Sequence, residues 1–575
     1  MKKLLLILLC MPLLTLAQQT VGLFSNQPSS YNGYTLFNSL GSTNTYLIDN
    51  CGVKAYEWNS NFKPAAVVYL LDNGNLLRTN QLPNTTFSFG GTGGGIEILD
   101  PNSNVIWSYE VNSDSTLAHH DLEVLPNGNI LILAIELISA QEADTCGSLV
   151  SIDRYSEMIL EVNPSTSQIV WEWHAWDHLI QDTDSNLLCY GTISEHPKRI
   201  NINYAYDGTD PDWLHANSID YNANLDQIII NSPTFNELWI IDHSTTTAEA
   251  ADSIGGFSGN GGDILYRWGN PQAYNRGDTL DQTFEFQHDA HWIPSGLPDQ
   301  GKIMIFNNGN QRGYSSIDII DPPLDANNYI LTNNSTPYGP LNLHWSYSDS
   351  INFYSAFISG AQQLENGNIL ICSGAQGSIF EVEFQTDSVV WDYIIPMVGP
   401  NPIAQGDTVP PMGNICFRAQ KFSPSYSGFN NLVLIPTTVI ELNPLPSTCQ
   451  IYISGCTDSL ACNYDPLSNI NDGSCNYNST SYDTLVSAIN INWNSLTLNN
   501  SGDYSVTLIN SVGCDSIANI NFTLQLLGTH DIASSKVITL IRITDMLGKE
   551  AQYRRNTPLF YIYDDGTVEK RMVIE

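Results

Sequence analysis

The chain is short of positive charge: 21 Lys and Arg residues stand against 59 Asp and Glu, a formal net charge of -38 at pH 7. A field of that sign repels phosphate backbones, which argues against nucleic acid as a partner. Long apolar runs are scarce too. One covers residues 4–16 after Met1-Lys2-Lys3, but it is too short to span a bilayer as a helix, and no later stretch is apolar enough to cross a membrane. A charged start, a short apolar stretch and Ala17 before Gln18 read as a cleaved secretory signal over residues 1–17. Leu9 before Cys10 is not the small residue that a lipoprotein anchor requires. Sustained helical stripes are absent as well. Gly, Asn, Thr, Tyr and Trp are abundant instead, so an all-β protein is expected.

What is present is repetition. An apolar strand, an Asn-Gly turn and a second apolar strand occur at Leu71-Asp72-Asn73-Gly74-Asn75, Leu125-Pro126-Asn127-Gly128-Asn129 and Leu364-Glu365-Asn366-Gly367-Asn368. Asn-Gly between such strands signals a hairpin whose two turn residues both take positive φ. Looser copies cover residues 217–231, 290–306 and 416–435. After each comes a second hairpin, often ending in Trp plus an aromatic, as in Trp107-Ser108-Tyr109, Trp171-Glu172-Trp173 and Trp391-Asp392-Tyr393. Weaker copies cover residues 238–268, 317–347 and 439–453. Two hairpins make a four-stranded blade, so six such pairs predict a six-bladed β-propeller over residues 18–450, with residues 45–58 helping to close the ring. A stack of unrelated β-sandwiches is the competing architecture; it does not explain the regular alternation.

Small β-rich modules are expected after residue 450: an Asp- and Cys-rich stretch over 455–477, short strands over 478–530, and a strand-turn-strand unit over 538–575. Disulfides are expected in the dense group Cys449, Cys456, Cys462 and Cys475.

Histidine is the informative residue, with 11 in the chain. His119-His120-Asp121, Trp213-Leu214-His215-Ala216-Asn217 and Gln287-His288-Asp289-Ala290-His291-Trp292 each precede or begin an inner-type strand, where a propeller would converge them on its central channel. Neighbours along a strand face opposite ways, so His119 and His120 are not expected both to face the channel, nor His288 and His291 if that segment is extended. The plain alternative is that each histidine pins two blades together by hydrogen bonds. A metal site ranks second, because no string has the two-ligand helical spacing of a zinc protease. His174 and His178 read as rim-loop residues, and His196, His243, His344 and His530 as structural.

Converging imidazoles have a definite chemistry. One neutral ring can attack an electrophilic centre and split a displacement into two steps. A second can carry the proton of a leaving group or acceptor. Charge growing on the transferred group's oxygens needs fixed donors. Trp213 and Trp292 are candidates to hold an aromatic ring.

Together the histidine strings, with Asn307-Asn308-Gly309 and Glu237-Leu238-Trp239-Ile240-Ile241-Asp242-His243-Ser244, resemble the bacterial arylsulfate sulfotransferases over about residues 34–440. The resemblance implies a six-bladed propeller that moves a sulfuryl group from a phenolic sulfate ester to a phenol acceptor. It implies no nucleotide donor, no cofactor, no metal and a sulfated histidine intermediate. It makes His288 the attacking imidazole and His215 with one of His119 and His120 its partners, with His291 and Asn217 at the substrate. Where the family has an arginine clamp, this chain has Pro233, which supplies neither charge nor N–H. Arg312 and Arg418, on other repeats, are the cations available to replace it. The alternative is a propeller that has lost its chemistry and binds sulfated polysaccharide or another cell-surface ligand. Residues 455–477 resemble an Asp- and Cys-rich module of exported proteins of marine Bacteroidetes. Residues 538–575 resemble the C-terminal sorting signal of the type IX secretion system, which implies that machinery as a partner and an outcome outside the cell or on its surface.

Overall fold

The computed structural model describes residues 19–204, 208–325, 328–331, 335–525 and 537–572. The expected signal segment, His530 and the last three residues of the expected sorting signal lie outside them. The chain divides into two compact units: residues 1–454 with 467–470, and residues 455–466 with 471–575. Strands dominate both, and the longest helix among the described residues, Ala140–Thr145, has six residues.

In the first unit six antiparallel sheets have four or five strands each. Blade 1 runs Pro64–Leu70, Leu76–Gln81, Gly94–Leu99 and Val105–Glu110. Blade 2 runs Thr116–Val124, Ile130–Ile138, Arg154–Asn163 and Gln168–His174. Blade 3 runs Ser218–Asn222, Gln227–Ser232, Glu237–Asp242 and Tyr266–Trp268. Blade 4 runs His288–Trp292, Ile303–Asn307, Ser316–Ile320 and Trp345–Ser348. Blade 5 runs Gly360–Gln363, Ile369–Ser373, Ser378–Glu383 and Ser388–Ile394, and Gly22–Asn26 adds a fifth, outermost strand. The first strand of each blade touches that of the next, and blade 6 joins blade 5 back to blade 1. A cavity on the ring axis takes Tyr69, Glu123, Asp220, His291, Gln362 and Gln420 in its wall, one residue from each first strand.

Blade 6 departs from the sequence reading. Its first strand is Ala419–Phe422, but its other three are Tyr34–Asn38, Asn44–Ile48 and Lys54–Asn59 from the beginning of the chain. The outer hairpin expected at 439–453 does not form. After Phe422 the chain turns through a short 3-10 segment, Ser427–Asn431, and Pro436, Pro444 and Pro446 remove the donors a ladder needs. Cys51, in the turn before Lys54–Asn59, is disulfide-bonded to Cys449 and holds the two ends together.

The turns also differ in detail. Leu71 and Asn75 close the first one, with Leu71 N–H donating to the Asn75 carbonyl at 2.9 Å. Gly74, Gly128 and Gly367 take φ of 83°, 84° and 89°, while Asn73, Asn127 and Asn366 keep negative φ. Each Asn carboxamide oxygen instead accepts the N–H two residues on. The asparagines therefore act through side-chain turns, and only glycine takes the left-handed position. Second strands such as Ile130–Ile138 and Gln227–Ser232 are buried on both faces between neighbouring blades, which accounts for their unbroken apolar runs, residues 130–135 and 228–230. Residues two apart on a fourth strand share a face, so Trp107 stacks on Tyr109 at 5.9 Å and Trp391 on Tyr393 at 5.7 Å.

In the second unit Asp515–Leu524 lies between Ser479–Ser487, parallel to it, and Gly502–Ile509, antiparallel, over a small core of Leu498, Ile520 and Phe522. A further sheet joins Leu540–Thr544, Leu559–Tyr563 and Val568–Arg571. Only one disulfide closes inside the dense cysteine group, Cys456–Cys475; Cys462 pairs with Cys514 and Cys449 with Cys51.

Candidate functional site

Four blades carry, in or just before their first strand, a non-glycine residue with positive φ: His120 at 49°, His215 at 49°, Asp289 at 56° and Ile358 at 51°. In blades 2 and 4 the ladder slips there, between Ile132 and Ala134 and between His288 and His291. In blade 4 three steps of the first strand oppose two of the second, and in blade 2 four oppose two, so the regular alternation of side chains is broken at both places. The expectation that neighbouring histidines diverge is overturned for His119 and His120 for that reason. His119 and His120 meet through their Nδ1 atoms at 2.8 Å, whereas His291 lines the axial cavity and His288 packs against Phe286 and Phe417.

The rings form a closed circuit. His120 lies edge-on to His215 at 4.9 Å, His215 stacks over Phe286 at 6.3 Å, and Phe286 neighbours His288 at 6.0 Å. Phe417 joins His288 at 6.4 Å back to His120 at 5.8 Å. Phe89 sits within 6.4 Å of His119, His120 and His215. Gly91, beside it at φ 80°, lies so close to His120 that a Cβ there would be 2.1 Å from Nε2. Imidazoles from blades 2, 3 and 4 thus share one buried, aromatic-walled place.

Each ring is held differently. His288 is buried, and its Nδ1 bonds Asn308 Oδ1 at 2.8 Å. The Asn308 amide donates to the carbonyls of Ser355 and Ile358, which fixes its oxygen toward the ring. Nδ1 therefore carries the hydrogen, and Nε2 accepts the main-chain N–H of Ile358 at 3.1 Å. Burial pushes the His288 pKa down to about 3, aided by the charge of His215 and opposed by Asn308. Burial and the charges of His215, His119 and His288 hold His120 well below the usual histidine range. His215 goes the other way: burial opposes its charge, but Asp212, bonded to Nδ1 at 2.5 Å, lifts its pKa above 6.5. The site pairs neutral imidazoles with one that favours the proton, which suits nucleophile and acid in one place.

Below this cluster Arg418 crosses the channel. Its Nη2 lies 2.9 Å from Asp121 and 2.8 Å from Asp289, and its Nη1 donates to the Tyr69 hydroxyl at 2.5 Å. These carboxylates raise its pKa against burial. On the far side is the axial cavity, about 180 Å³, with Glu123, Asp220 and His291 in its wall. Asp289 lifts the His291 pKa against burial, with Asp220 assisting. Among the described residues no group of three or more His, Cys, Asp or Glu side chains has the geometry to hold a metal ion.

Several sequence candidates sit elsewhere. His291 and Trp292 line the lower cavity, beyond Arg418 from the ring cluster. Trp213 is buried against Phe235 and under the Arg154 guanidinium, so its indole belongs to the core. Arg312 is tied into its own turn by the Tyr314 carbonyl and the Ser316 hydroxyl. Asn217 donates to the Gln287 carbonyl and accepts from Asn231, so it braces the main chain before His288. Pro233 is buried in the turn after Gln227–Ser232. The sequence reading passed over Phe89, Gly91, Glu157, Ile358 and Phe417. Two of these carry a local signal: the run Gly90-Gly91-Thr92-Gly93-Gly94-Gly95, and an acid inside the buried strand Arg154–Asn163.

The family described as arylsulfotransferase (ASST) matches residues 23–395. The chain belongs to that family. The match covers blades 1–5 and all three histidine strings, and stops before Ala419–Phe422. As a member of a sulfuryl-transfer family, the arylsulfotransferase chain is expected to take an aryl sulfate as donor and a phenol as acceptor. No curated protein sequence matches it. Among solved structures, a protein of unknown function from Bacteroides caccae is similar at 10% identity, covering 68% of this chain and 99% of that one, with a TM-score of 0.37. Kuenenia stuttgartiensis hydrazine synthase is similar at 10% identity, covering 72% and 99%, with a TM-score of 0.33. The Dos1 propeller is similar at 11% identity, covering 69% and 80%, with a TM-score of 0.28. No helix among the described residues is long and apolar enough to cross a membrane.

Proposed function

We propose that this arylsulfotransferase works through a sulfated His288. The observation that carries the reading is the environment of that ring: buried and neutral, with its hydrogen fixed on Nδ1 by Asn308. The Nε2 lone pair attacks the sulfur of the aryl sulfate as the sulfur–oxygen bond to the aryl group breaks. The departing phenolate takes a proton from Nε2 of His215, whose Nδ1–H stays on Asp212. The Ile358 N–H, released from Nε2 as the nitrogen–sulfur bond forms, becomes a donor to a sulfuryl oxygen. In the second half the acceptor phenol's oxygen attacks sulfur, the nitrogen–sulfur bond breaks, and the phenol's proton passes to an imidazole of the site. Phe89, Phe286 and Phe417 supply the aromatic walls that Trp213 does not. The same reading includes export by way of the segment over residues 1–17 and the sorting-signal-like residues 538–575, to the exterior or the cell surface.

One observation favours the second reading, a propeller that binds a sulfated ligand without turning it over. Where the resemblance implies an arginine clamp the chain has Pro233, and Arg418, whose charge acts on His120, is committed to Asp121, Asp289 and Tyr69. The deciding experiment is incubation with a nitrophenyl sulfate, with and without a phenol. Nitrophenol release and a His288 peptide heavier by one sulfuryl group support transfer. Saturable binding with neither supports the second reading.

A further inference from the structure

A buried carboxylate outside the three histidine strings touches two of them. Glu157, on the strand Arg154–Asn163, is fully enclosed, as is the His119 side chain. Its Oε2 lies 2.9 Å from His119 Nε2, and its Oε1 accepts the N–H of Ala216, the residue after His215, at 2.6 Å.

A carboxylate only accepts, so the hydrogen in the His119 contact sits on His119 Nε2. A neutral His119 then has its lone pair on Nδ1. That atom is 2.8 Å from His120 Nδ1, and a contact of this length between two nitrogens needs one donor and one acceptor. The hydrogen of His120 is accordingly on Nδ1, and its Nε2 is left bare. Nε2 has no hydrogen-bond partner among the described residues, and Gly91 packs on the face of the ring, where a Cβ would lie 2.1 Å from Nε2 and 2.3 Å from Cε1. His215 is set the opposite way round the site, with Nδ1 bound to Asp212 and Nε2 free to hold a hydrogen.

We propose that Glu157 is a positioning residue that sets two tautomers in series, so that His120 accepts a proton at Nε2 while His215 donates one. The use of that proton rests on the transfer reading above; the tautomer itself does not. In the second half-reaction the bond from the phenol oxygen to sulfur forms, the nitrogen–sulfur bond to His288 breaks, and the phenol's proton goes to His120 Nε2. The cycle resets when the proton passes from His120 to His215, whose ring is 4.9 Å away and edge-on. Two histidines with separate duties then replace one that must both give and take.

The test is a long-range hydrogen–nitrogen correlation spectrum of the full chain with labelled histidine, with His120 assigned from the spectrum of His120→Gln. The expected result is hydrogen on Nδ1 of His120 and on Nε2 of His119 near neutral pH. Hydrogen on Nε2 of His120 would overturn the proposal, and this readout needs neither activity nor a Glu157 variant. Glu157→Gln should scramble the His120 tautomer. It should slow discharge of the sulfated enzyme to phenol by about tenfold or more, leaving the first burst of nitrophenol within about twofold. An equal loss in both half-reactions would make Glu157 merely structural. Absence of any burst in the native protein, with the tautomers as expected, would end the transfer reading alone.

Discussion

The main-chain N–H of Ile358 points at Nε2 of His288, 3.1 Å away, from a residue held at φ 51°. A β-branched residue adopts that conformation at a cost of about 1–3 kcal/mol and keeps it only where its surroundings insist. They do: the Ile358 carbonyl accepts from Asn308, Ser359 N–H donates to the Phe417 carbonyl, and the Ser359 hydroxyl bonds Ser355. The strand entry of blade 5 is built around the lone pair of a histidine on blade 4.

Burial keeps His288 neutral from about pH 3 upward. The acid His215, with a pKa above 6.5, is lost as pH rises through that raised value. Turnover of a nitrophenyl sulfate should therefore fall on the alkaline side only. His215→Gln should flatten the fall and lower the rate by about 10²-fold or more for a poorly leaving phenol, less for nitrophenol. An acid limb centred near 6.5 would contradict a neutral His288 at rest.

Stability should respond to pH in two opposite ways. His288 and His120 have lowered pKa values, so the unfolded chain binds protons that the folded one does not; stability present above 6.5 is lost as pH falls from there toward about 3. His243, bonded to Glu161 and Asp226, is raised against burial. Its contribution is full below 6.5 and lost as pH rises through the folded value. In thermal melts His288→Gln should reduce the acid loss, and His243→Gln should remove part of the alkaline one.

Two glycines with nearly the same φ should behave differently. Gly128 at 84° has nothing within 4 Å of an added Cβ, so Gly128→Ala loses only about 1–2 kcal/mol of backbone preference. In Gly91→Ala the new carbon would overlap the His120 ring, so activity should collapse beyond any loss of melting temperature. Equal catalytic behaviour in the two variants would remove His120 from the chemistry.

The Cys51–Cys449 bridge spans 398 residues. On a chain-entropy argument a loop of that length stabilises by about 6 kcal/mol. Cys449→Ser should lower the melting temperature of the first unit, whereas the buried thiols Cys372 and Cys416 should resist alkylation until it unfolds.

Much of the fold was legible in the sequence because it is written locally. The turns at Asn73-Gly74, Asn127-Gly128 and Asn366-Gly367 carry their own chemistry, and the Trp-aromatic pairs mark fourth strands. Blade 6 was legible in part: residues 45–58 were expected to help close the ring and supply two of its strands, but no local pattern announces that Tyr34 pairs with Phe422. The strings holding His120, His215 and His288 could be read, but their convergence depends on left-handed residues that are not glycine and leave no compositional trace. Glu157 was visible as an acid in an apolar strand; its partners lie 38 and 59 residues away and only the packed ring joins them.

Blade 6 also dictates an order of events. The edge of Tyr34–Asn38 is among the first parts of the sheet framework to be synthesised, yet its partner Ala419–Phe422 comes after every other blade. Until then a growing chain displays a vacant row of amide and carbonyl groups, the kind of template on which strangers pair. A fragment ending where the family match ends, at residue 395, would keep that gap open for good and should associate with itself rather than stay dispersed.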